Sequence, residues 1–167
     1  MGQRLLPQTL IELYAHALAL EREAFKRFVE LERVMRDAGV DHIAEEFGRI
    51  GREEQEQYEA LALGTAEREL PEIAPWEYAW HYLGSGADRV SAPKNAREAL
   101  TLALSTERRA QSFYVDVAEH ASDDAVCAFA AEMAADEQRH VQRLEQLLAR
   151  EPEPVKITGN GVQTARG

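Results

Sequence analysis

Cysteine is almost absent from this chain, which has only Cys127 among its 167 residues. A single cysteine excludes an intramolecular disulfide. It also excludes a metal centre built from several thiolates of this chain, the usual form of a structural zinc site. The near absence of cysteine is compatible with a reducing cytoplasm, where disulfides are rare.

Long hydrophobic runs are also missing. A membrane-spanning helix needs roughly twenty consecutive apolar residues, and the longest uncharged runs here are far shorter. Near the start, Pro7 and Gln8 end the short apolar run Leu5–Leu6, so no secretory leader is predicted. We therefore expect a soluble, cytoplasmic protein without a membrane partner.

Positive charge is scarce. The chain has 19 Lys and Arg against 30 Asp and Glu, which gives a formal net charge of −11. Such a surface repels phosphate groups, so neither nucleic acid nor an anionic membrane is an expected partner. An acidic surface can attract cations, but it is more often a means of staying soluble.

Proline and glycine are concentrated in two stretches, one inside and one directly after a predicted all-α domain of residues 1–150. Apolar residues recur there at helical spacing, and the chain is long enough for one real core. The predicted helices cover residues 7–38, 41–63, 94–121 and 123–150, with a crossover at 64–93 and a mobile tail at 151–167. Two helical hairpins joined by a long crossover are typical of a four-helix bundle.

Local signals predict where these helices begin and end. Gly39 and Gly64 should end the first and second helices, because glycine readily adopts the conformation that closes a helix. Asp41 and Ser122 are the predicted caps of the second and fourth helices. Pro93 is well suited to the first turn of the third.

Each predicted helix carries an apolar seam in steps of four and three residues. The fourth seam consists of Val126, Ala130, Met133, Glu137, His140, Leu144 and Leu147. One glutamate interrupts every seam near its middle: Glu21, Glu54, Glu107 and Glu137. A buried carboxylate is costly unless it is neutralised, paired or bound to a metal, so this recurrence predicts a functional site.

The four glutamates are expected at one level of the bundle. In an antiparallel hairpin, residues at equal height have numbers whose mean falls at the turn. Glu107 and Glu137 average to 122, and Glu21 and Glu54 average to 37.5, close to the two predicted turns. The two halves are offset by 86 and 83 residues, which suggests a duplicated hairpin. If the halves pack face to face, all four carboxylates converge.

Such a cluster suits two divalent cations. Four buried carboxylates repel one another, and two cations of charge +2 neutralise them while their oxygens act as ligands. His140 follows Glu137 by three residues on the same helix face, and imidazole is a good ligand for iron or zinc. The donor set favours iron or manganese, with zinc as a possible substitute.

Two simpler interpretations stay open. The glutamates can be hydrogen-bonded groups of a bundle without metal. Alternatively, a single metal can bind at Glu107, Glu137 and His140, with help from Glu54.

With these residues in place, the chain resembles the rubrerythrin-like members of the ferritin-like di-iron carboxylate superfamily. The matching positions are Glu21 with Ala24, Glu54-x-x-Gln57, Glu107 with Ala110, and Glu137-x-x-His140. The resemblance covers roughly residues 7–150 and implies two iron ions bridged by Glu54 and Glu137. It implies that Glu107 and His140 complete one metal site. Glu21 would belong to the other.

The chain departs from the family pattern at two positions. Gln57 stands where the family has a histidine, so the metal beside Glu21 should be held more weakly, with Gln57 as a further candidate ligand. Ala110 stands where rubrerythrins proper carry an extra glutamate, which leaves their redox-linked ligand exchange unsupported. The chain has no Cys-x-x-Cys pair for a rubredoxin-like domain. An external electron donor is therefore expected.

The leading functional hypothesis is a di-iron oxidoreductase of the peroxidase or ferroxidase type, acting on Fe(II) with dioxygen or hydrogen peroxide. Iron storage or detoxification in a shell is an alternative, although no clear fifth helix follows Arg150. Oxygenation of an organic substrate and a non-catalytic interaction module are further alternatives.

An aromatic segment lies in the predicted crossover. It contains Trp76, Tyr78, Trp80 and Tyr82, and it either covers the bundle or forms the contact of a homodimer. Four histidines fall outside the glutamate register and are expected at the surface or between helices: His16, His42, His81 and His120.

The remaining candidates have ordinary structural roles by their positions. Glu53 and Glu56 are expected on a solvated surface, and Cys127 in inert packing. Tyr114 lies on the third seam, either as a core aromatic or as a hydrogen-bond donor to a site ligand.

Overall fold

Four long helices make up the part of the molecule that the structure describes, and the fold is all-α as predicted. The computed structural model describes residues 6–74 and 92–154, and these contain no strand. The helices are α1 (Leu10–Asp37), α2 (Asp41–Thr65), α3 (Ala96–His120) and α4 (Asp124–Arg150). Helices α1 and α2 pack along each other, as do α3 and α4, which gives the two hairpins of a four-helix bundle. The aromatic segment, His81 and the end of the tail lie outside the described residues.

The first hairpin turns at Gly39, as predicted. Its φ of 75° lies in the left-handed region, which glycine adopts without steric cost. The amide of Val40 then donates to the carbonyl oxygen of Met35 at 2.8 Å, which satisfies an orphan carbonyl at the end of α1.

Two predicted helix caps are wrong by one residue. Val40, not Asp41, precedes α2, and Asp41 instead places its charge in the first turn. The cap of α4 is Asp123 rather than Ser122, because its carboxylate accepts from the amides of Ala125 and Val126 at 2.9 and 3.0 Å. A carboxylate also interacts better than a hydroxyl with the positive end of the helix dipole.

The other helix bounds differ from the prediction for similar local reasons. Helix α1 begins after Thr9, which forms a capping box with Glu12, and not at Pro7. Helix α3 begins after Asn95, whose side chain accepts from the amide of Glu98 at 2.9 Å. Helix α2 continues through Gly64 to Thr65, so the prediction that Gly64 ends the helix is wrong.

The core consists of two apolar clusters with a polar layer between them. One cluster includes Phe28, Phe47, Leu100 and Leu144. The other includes Leu13, Leu20, Phe113, Val117 and Val126. On every helix, the seam glutamate lies beside or between the residues that the helix adds to these clusters. Packed side chains therefore enclose the site.

Candidate metal centre

Four side chains from three helices converge in the polar layer. Glu54, Glu107, Glu137 and His140 each offer one ligand atom, and these atoms all lie within 4.8 Å of one another. All four residues are buried, with at most 4% of their surface exposed. The structure thus brings together the residues singled out in the seams of α2, α3 and α4.

Glu21 of α1 lies at the edge of this group. It is 1% exposed, and the Tyr114 hydroxyl donates a hydrogen bond to its Oε1 at 3.0 Å. Its carboxyl group also neighbours that of Glu54. Tyr114 is therefore both a core aromatic and a hydrogen-bond donor to the site.

His140 has two different environments at its ring nitrogens. Nδ1 faces the carboxylates, 2.6 Å from Glu54 Oε1 and 3.6 Å from Glu107 Oε2. The close approach to Glu54 lacks hydrogen-bond geometry, so Nδ1 has no hydrogen-bond partner there. Nε2 lies 3.1 Å from Oε2 of Glu53. A carboxylate that binds the outer nitrogen holds the inner nitrogen in the form that binds a metal.

The contact with His140 corrects the prediction that Glu53 is an ordinary solvated residue. Its side chain is 44% exposed, yet its two oxygens contact His140 and Arg143. Arg143 in turn pairs with Glu46 at 2.7 Å. A chain of charged groups thus links the buried imidazole to the surface. The signal in the sequence was Glu53's place directly before a seam glutamate, matched by Asp136 before Glu137.

Gln57 is also tied to the opposite half of the bundle. Its Nε2 donates a hydrogen bond to Oδ2 of Asp136 at 3.1 Å. Its Oε1 is buried and has no hydrogen-bond partner among the described residues.

Burial dominates the electrostatics of the cluster. Desolvation raises the pKa of Glu21, and it raises the pKa values of Glu54 and Glu137 well above their ordinary value. The charge of Glu107 raises all three pKa values further. The same burial and the negative charge of Glu21 raise the pKa of the Tyr114 hydroxyl well above its ordinary value.

The pKa of His140 shifts in the direction expected of a group that becomes a cation among carboxylates. Burial lowers its pKa, but the nearby carboxylates of Glu107, Glu137 and Glu53 outweigh this and raise it to about 9. Protons thus provide the positive charge that the carboxylates need. Divalent cations can replace those protons.

The donor set fits such cations. Oε2 of Glu21 and Oε2 of Glu137 are buried and without a hydrogen-bond partner in the described part of the chain. Buried polar atoms are nearly always satisfied, so unpaired oxygens beside an imidazole nitrogen are a sign of a metal centre. Carboxylates together with one histidine suit iron or manganese better than a thiolate-preferring metal.

The remaining candidates do not join the cluster. His16 is 8% exposed and lies between helices, with its ring centroid 5.6 Å from that of Phe113. His42 and His120 are at the surface, as predicted. Cys127 is half-buried, and its Sγ donates to the carbonyl oxygen of Ala121 at 3.2 Å. Ala110 is packed into the apolar core.

None of the described helices combines the length and the apolar character needed to cross a bilayer.

Comparison with known proteins places the chain among ferritin-like proteins. Residues 12–148 match the family model described as Rubrerythrin. A crystal structure of an uncharacterized conserved protein from Magnetospirillum magnetotacticum MS-1 superposes with a TM-score of 0.76 at 28% identity. The superposition covers 88% of this chain and 98% of that one. A search of curated proteins finds no match.

Proposed function

Since the chain belongs to the rubrerythrin family, we propose that it is a di-metal carboxylate protein that oxidises Fe(II) with hydrogen peroxide or dioxygen. The observation that carries the proposal is the buried group of three carboxylates and one imidazole, with Glu21 beside it. A bundle under no functional constraint would gain stability by replacing these residues with apolar ones. Their presence in the core therefore favours a role in binding cations.

The two halves of the bundle would share the ligands. Glu107 and His140 would hold one ion, and Glu21 would hold the other. Glu54 and Glu137 would contribute ligand oxygens to both. Bound iron would supply the electrons: oxidation of two Fe(II) to two Fe(III) would reduce one hydrogen peroxide, with two protons, to two waters. With dioxygen as the acceptor, the same two electrons and two protons give hydrogen peroxide.

The protein's own groups would prepare the site for this reaction. Glu53 would hold the His140 ring with Nδ1 facing inwards. Tyr114 would fix one Glu21 oxygen and leave the other free to bind a cation. The apolar clusters on either side exclude water, which strengthens every electrostatic interaction within the layer. The protons held by Glu54 and Glu137 would leave as cations bind.

A single-metal centre is the second candidate, and one observation favours it. The four ligand atoms that lie within 4.8 Å of one another belong to Glu54, Glu107, Glu137 and His140, without Glu21. That set can hold one cation by itself. The number of ions bound per chain distinguishes the two possibilities.

Reduction of the oxidised iron would need an external electron donor, because this chain has no Cys-x-x-Cys pair. We further propose a cytoplasmic homodimer. Iron storage in a larger shell is the alternative assembly. The mass of the protein in solution separates a dimer from a shell.

An anaerobic Fe(II) titration tests the proposal. We expect close to two Fe(II) per metal-free chain, followed by a near-ultraviolet Fe(III) absorption when hydrogen peroxide is added. Glu137→Gln should reduce both the stoichiometry and the absorption. Glu132→Gln, an exposed glutamate on the same helix, is the matched control and should change neither. Failure of the unmodified protein to bind iron would refute the proposed function, and one Fe(II) per chain would favour the single-metal centre.

A further inference from the structure

The same kind of contact occurs in both halves of the site, with different residues in each. An offset of 83 residues relates Glu53 to Asp136 and Gln57 to His140. In each case the acidic residue contacts the other helix's partner: Glu53 lies 3.1 Å from His140 Nε2, and Asp136 accepts from Gln57 Nε2 at 3.1 Å. Gln57 is therefore held in the same manner as the histidine ligand.

Asp136 determines which way the Gln57 amide faces. A carboxylate accepts hydrogen bonds, so the amide nitrogen of Gln57 must lie towards it. Arg139 pairs with the other Asp136 oxygen at 2.6 Å and holds the carboxylate in place. The amide oxygen, which is the other terminal atom of the amide group, is buried and has no hydrogen-bond partner among the described residues.

In sequence position, Gln57 is the counterpart of His140. Gln57 follows Glu54 by three residues, as His140 follows Glu137, so each lies one turn from a central glutamate on the same helix face. His140 has its outer nitrogen on Glu53 and its inner nitrogen towards the carboxylates. Gln57 has its nitrogen on Asp136 and an unpaired oxygen remaining.

We propose that Gln57 Oε1 is a metal ligand and that it creates an all-oxygen half-site selective for a hard cation such as Mn(II). This inference rests on the proposed two-metal function. The all-oxygen half would consist of Glu21, Gln57 and the shared Glu54 and Glu137, whereas the other half has the imidazole of His140. Imidazole favours iron and zinc, and carboxylate or carbonyl oxygens suit manganese. The protein would therefore take up two different metals when both are supplied.

The preference of the all-oxygen half for manganese over zinc is expected only in comparison with the half that contains His140. Zinc binds more tightly than manganese at nearly any protein site, so the all-oxygen half should show the smaller preference for zinc. One equivalent of Zn(II) should then fill the His140 half and leave the Gln57 half for Mn(II).

Electron paramagnetic resonance of bound Mn(II) tests the inference on the full chain. The protein is loaded with one equivalent of Zn(II) and titrated with Mn(II), and pulsed measurements then report whether a nitrogen is directly bound to the manganese. We expect one Mn(II) per chain without a directly bound nitrogen. Gln57→Leu should weaken Mn(II) binding at least tenfold, and Asp136→Asn several-fold, because the amide can then turn around.

Two further variants complete the test. Gln57→His should add a nitrogen coupling to any bound Mn(II) and strengthen binding of a second Zn(II). Gln55→Leu removes an exposed glutamine of the same helix, which donates to Glu59, and should leave Mn(II) affinity unchanged. Thermal melting of each metal-free variant verifies that it folds.

The outcomes separate this inference from the proposed function. One combination of results would overturn the role of Gln57 but keep the proposed function. In that combination the protein binds two Fe(II) and oxidises them normally, while Gln57→Leu folds and leaves the affinity for Mn(II) unchanged. A nitrogen coupling in the unmodified protein would also overturn it, because manganese would then lie in the His140 half. Failure to bind any of these metals would remove both proposals.

Discussion

The buried carboxylate of Glu137 shows how a binding residue opposes stability. It is 2% exposed, its Oε2 has no hydrogen-bond partner within the described ranges, and its pKa is raised well above the ordinary value by desolvation. At neutral pH the folded, metal-free chain must either bind a proton there or keep a buried charge. Both alternatives cost free energy relative to an uncharged side chain of the same shape.

Glu137→Gln should therefore stabilise the metal-free protein while weakening the metal-loaded one. We expect a gain of roughly 1–3 kcal/mol in the free energy of unfolding at pH 7.5, measured by urea denaturation in the presence of a chelator. Affinity for Fe(II) should fall at least tenfold. Glu132→Gln, at the surface of the same helix, should stay within about 0.5 kcal/mol of the parent. Loss of metal-free stability in Glu137→Gln would instead assign Glu137 a structural role.

Residue spacing was enough to predict which side chains meet at the centre of the candidate site but not which residues surround them. The seam register singled out Glu54, Glu107, Glu137 and His140 because a polar residue in an apolar stripe is conspicuous in sequence. Glu53 and Asp136 are not conspicuous, since acidic residues are common on solvated helix faces. Their roles depend on how far α2 and α4 are rotated towards each other, which a single helix's periodicity does not reveal.

At the level of the elements, two glycines of α2 permit its close approach to α1. A Cβ added at Gly51 would lie 3.1 Å from Cβ of the fully buried Phe28. One added at Gly48 would lie 2.8 Å from the Glu32 carboxyl group, which is the end of a flexible side chain. The first neighbour cannot withdraw without disturbing the core, whereas the second can move into solvent.

Alanine substitutions at these two glycines should have opposite effects. Alanine in a helix interior is favoured over glycine by roughly 1 kcal/mol. Gly48→Ala should keep most of that gain, whereas Gly51→Ala should lose it and destabilise the protein by about 1–2 kcal/mol because Phe28 must shift. Thermal melting of the metal-free variants measures both. Equal gains in stability at the two positions would contradict this prediction, because they would show that the contact between α1 and α2 can adjust at little cost.

The helices themselves were predictable because their apolar periodicity is strong over more than twenty residues each. The ends of the helices were less predictable, because adjacent polar residues compete to cap each helix. Ser122 and Asp123 are both acceptable caps, and the structure selects the carboxylate, which reaches two amides. Gly64 failed to end α2 because glycine permits the closing conformation without requiring it.

For the molecule as a whole, the polar layer separates two apolar clusters that would otherwise be continuous. The bundle thus places the buried groups that cost most free energy between its two apolar clusters. Two cations held as proposed, with Glu21 as a ligand, would connect all four helices and should stabilise the whole fold by mass action.

This arrangement predicts opposite pH dependences for the metal-free and metal-loaded proteins. Burial raises the pKa values of Glu54 and Glu137 above 4.5, and carboxylate neighbours raise that of His140 from 6.5 to about 9. In each case the folded state binds a proton more tightly than the unfolded state. The stability from these groups is present at low pH and is lost as pH rises, for His140 between 6.5 and about 9.

We therefore expect the free energy of unfolding of the metal-free protein to fall by on the order of 3 kcal/mol between pH 6 and pH 9. His140→Ala should flatten that slope, because it removes the group that titrates in this range. Loaded protein should instead become more stable over the lower part of the range, because cations displace protons more easily as pH rises. Urea denaturation at constant ionic strength, with and without metal, measures both slopes. A metal-free protein that gains stability towards pH 9 would contradict the conclusion that the buried groups bind protons more tightly in the folded state.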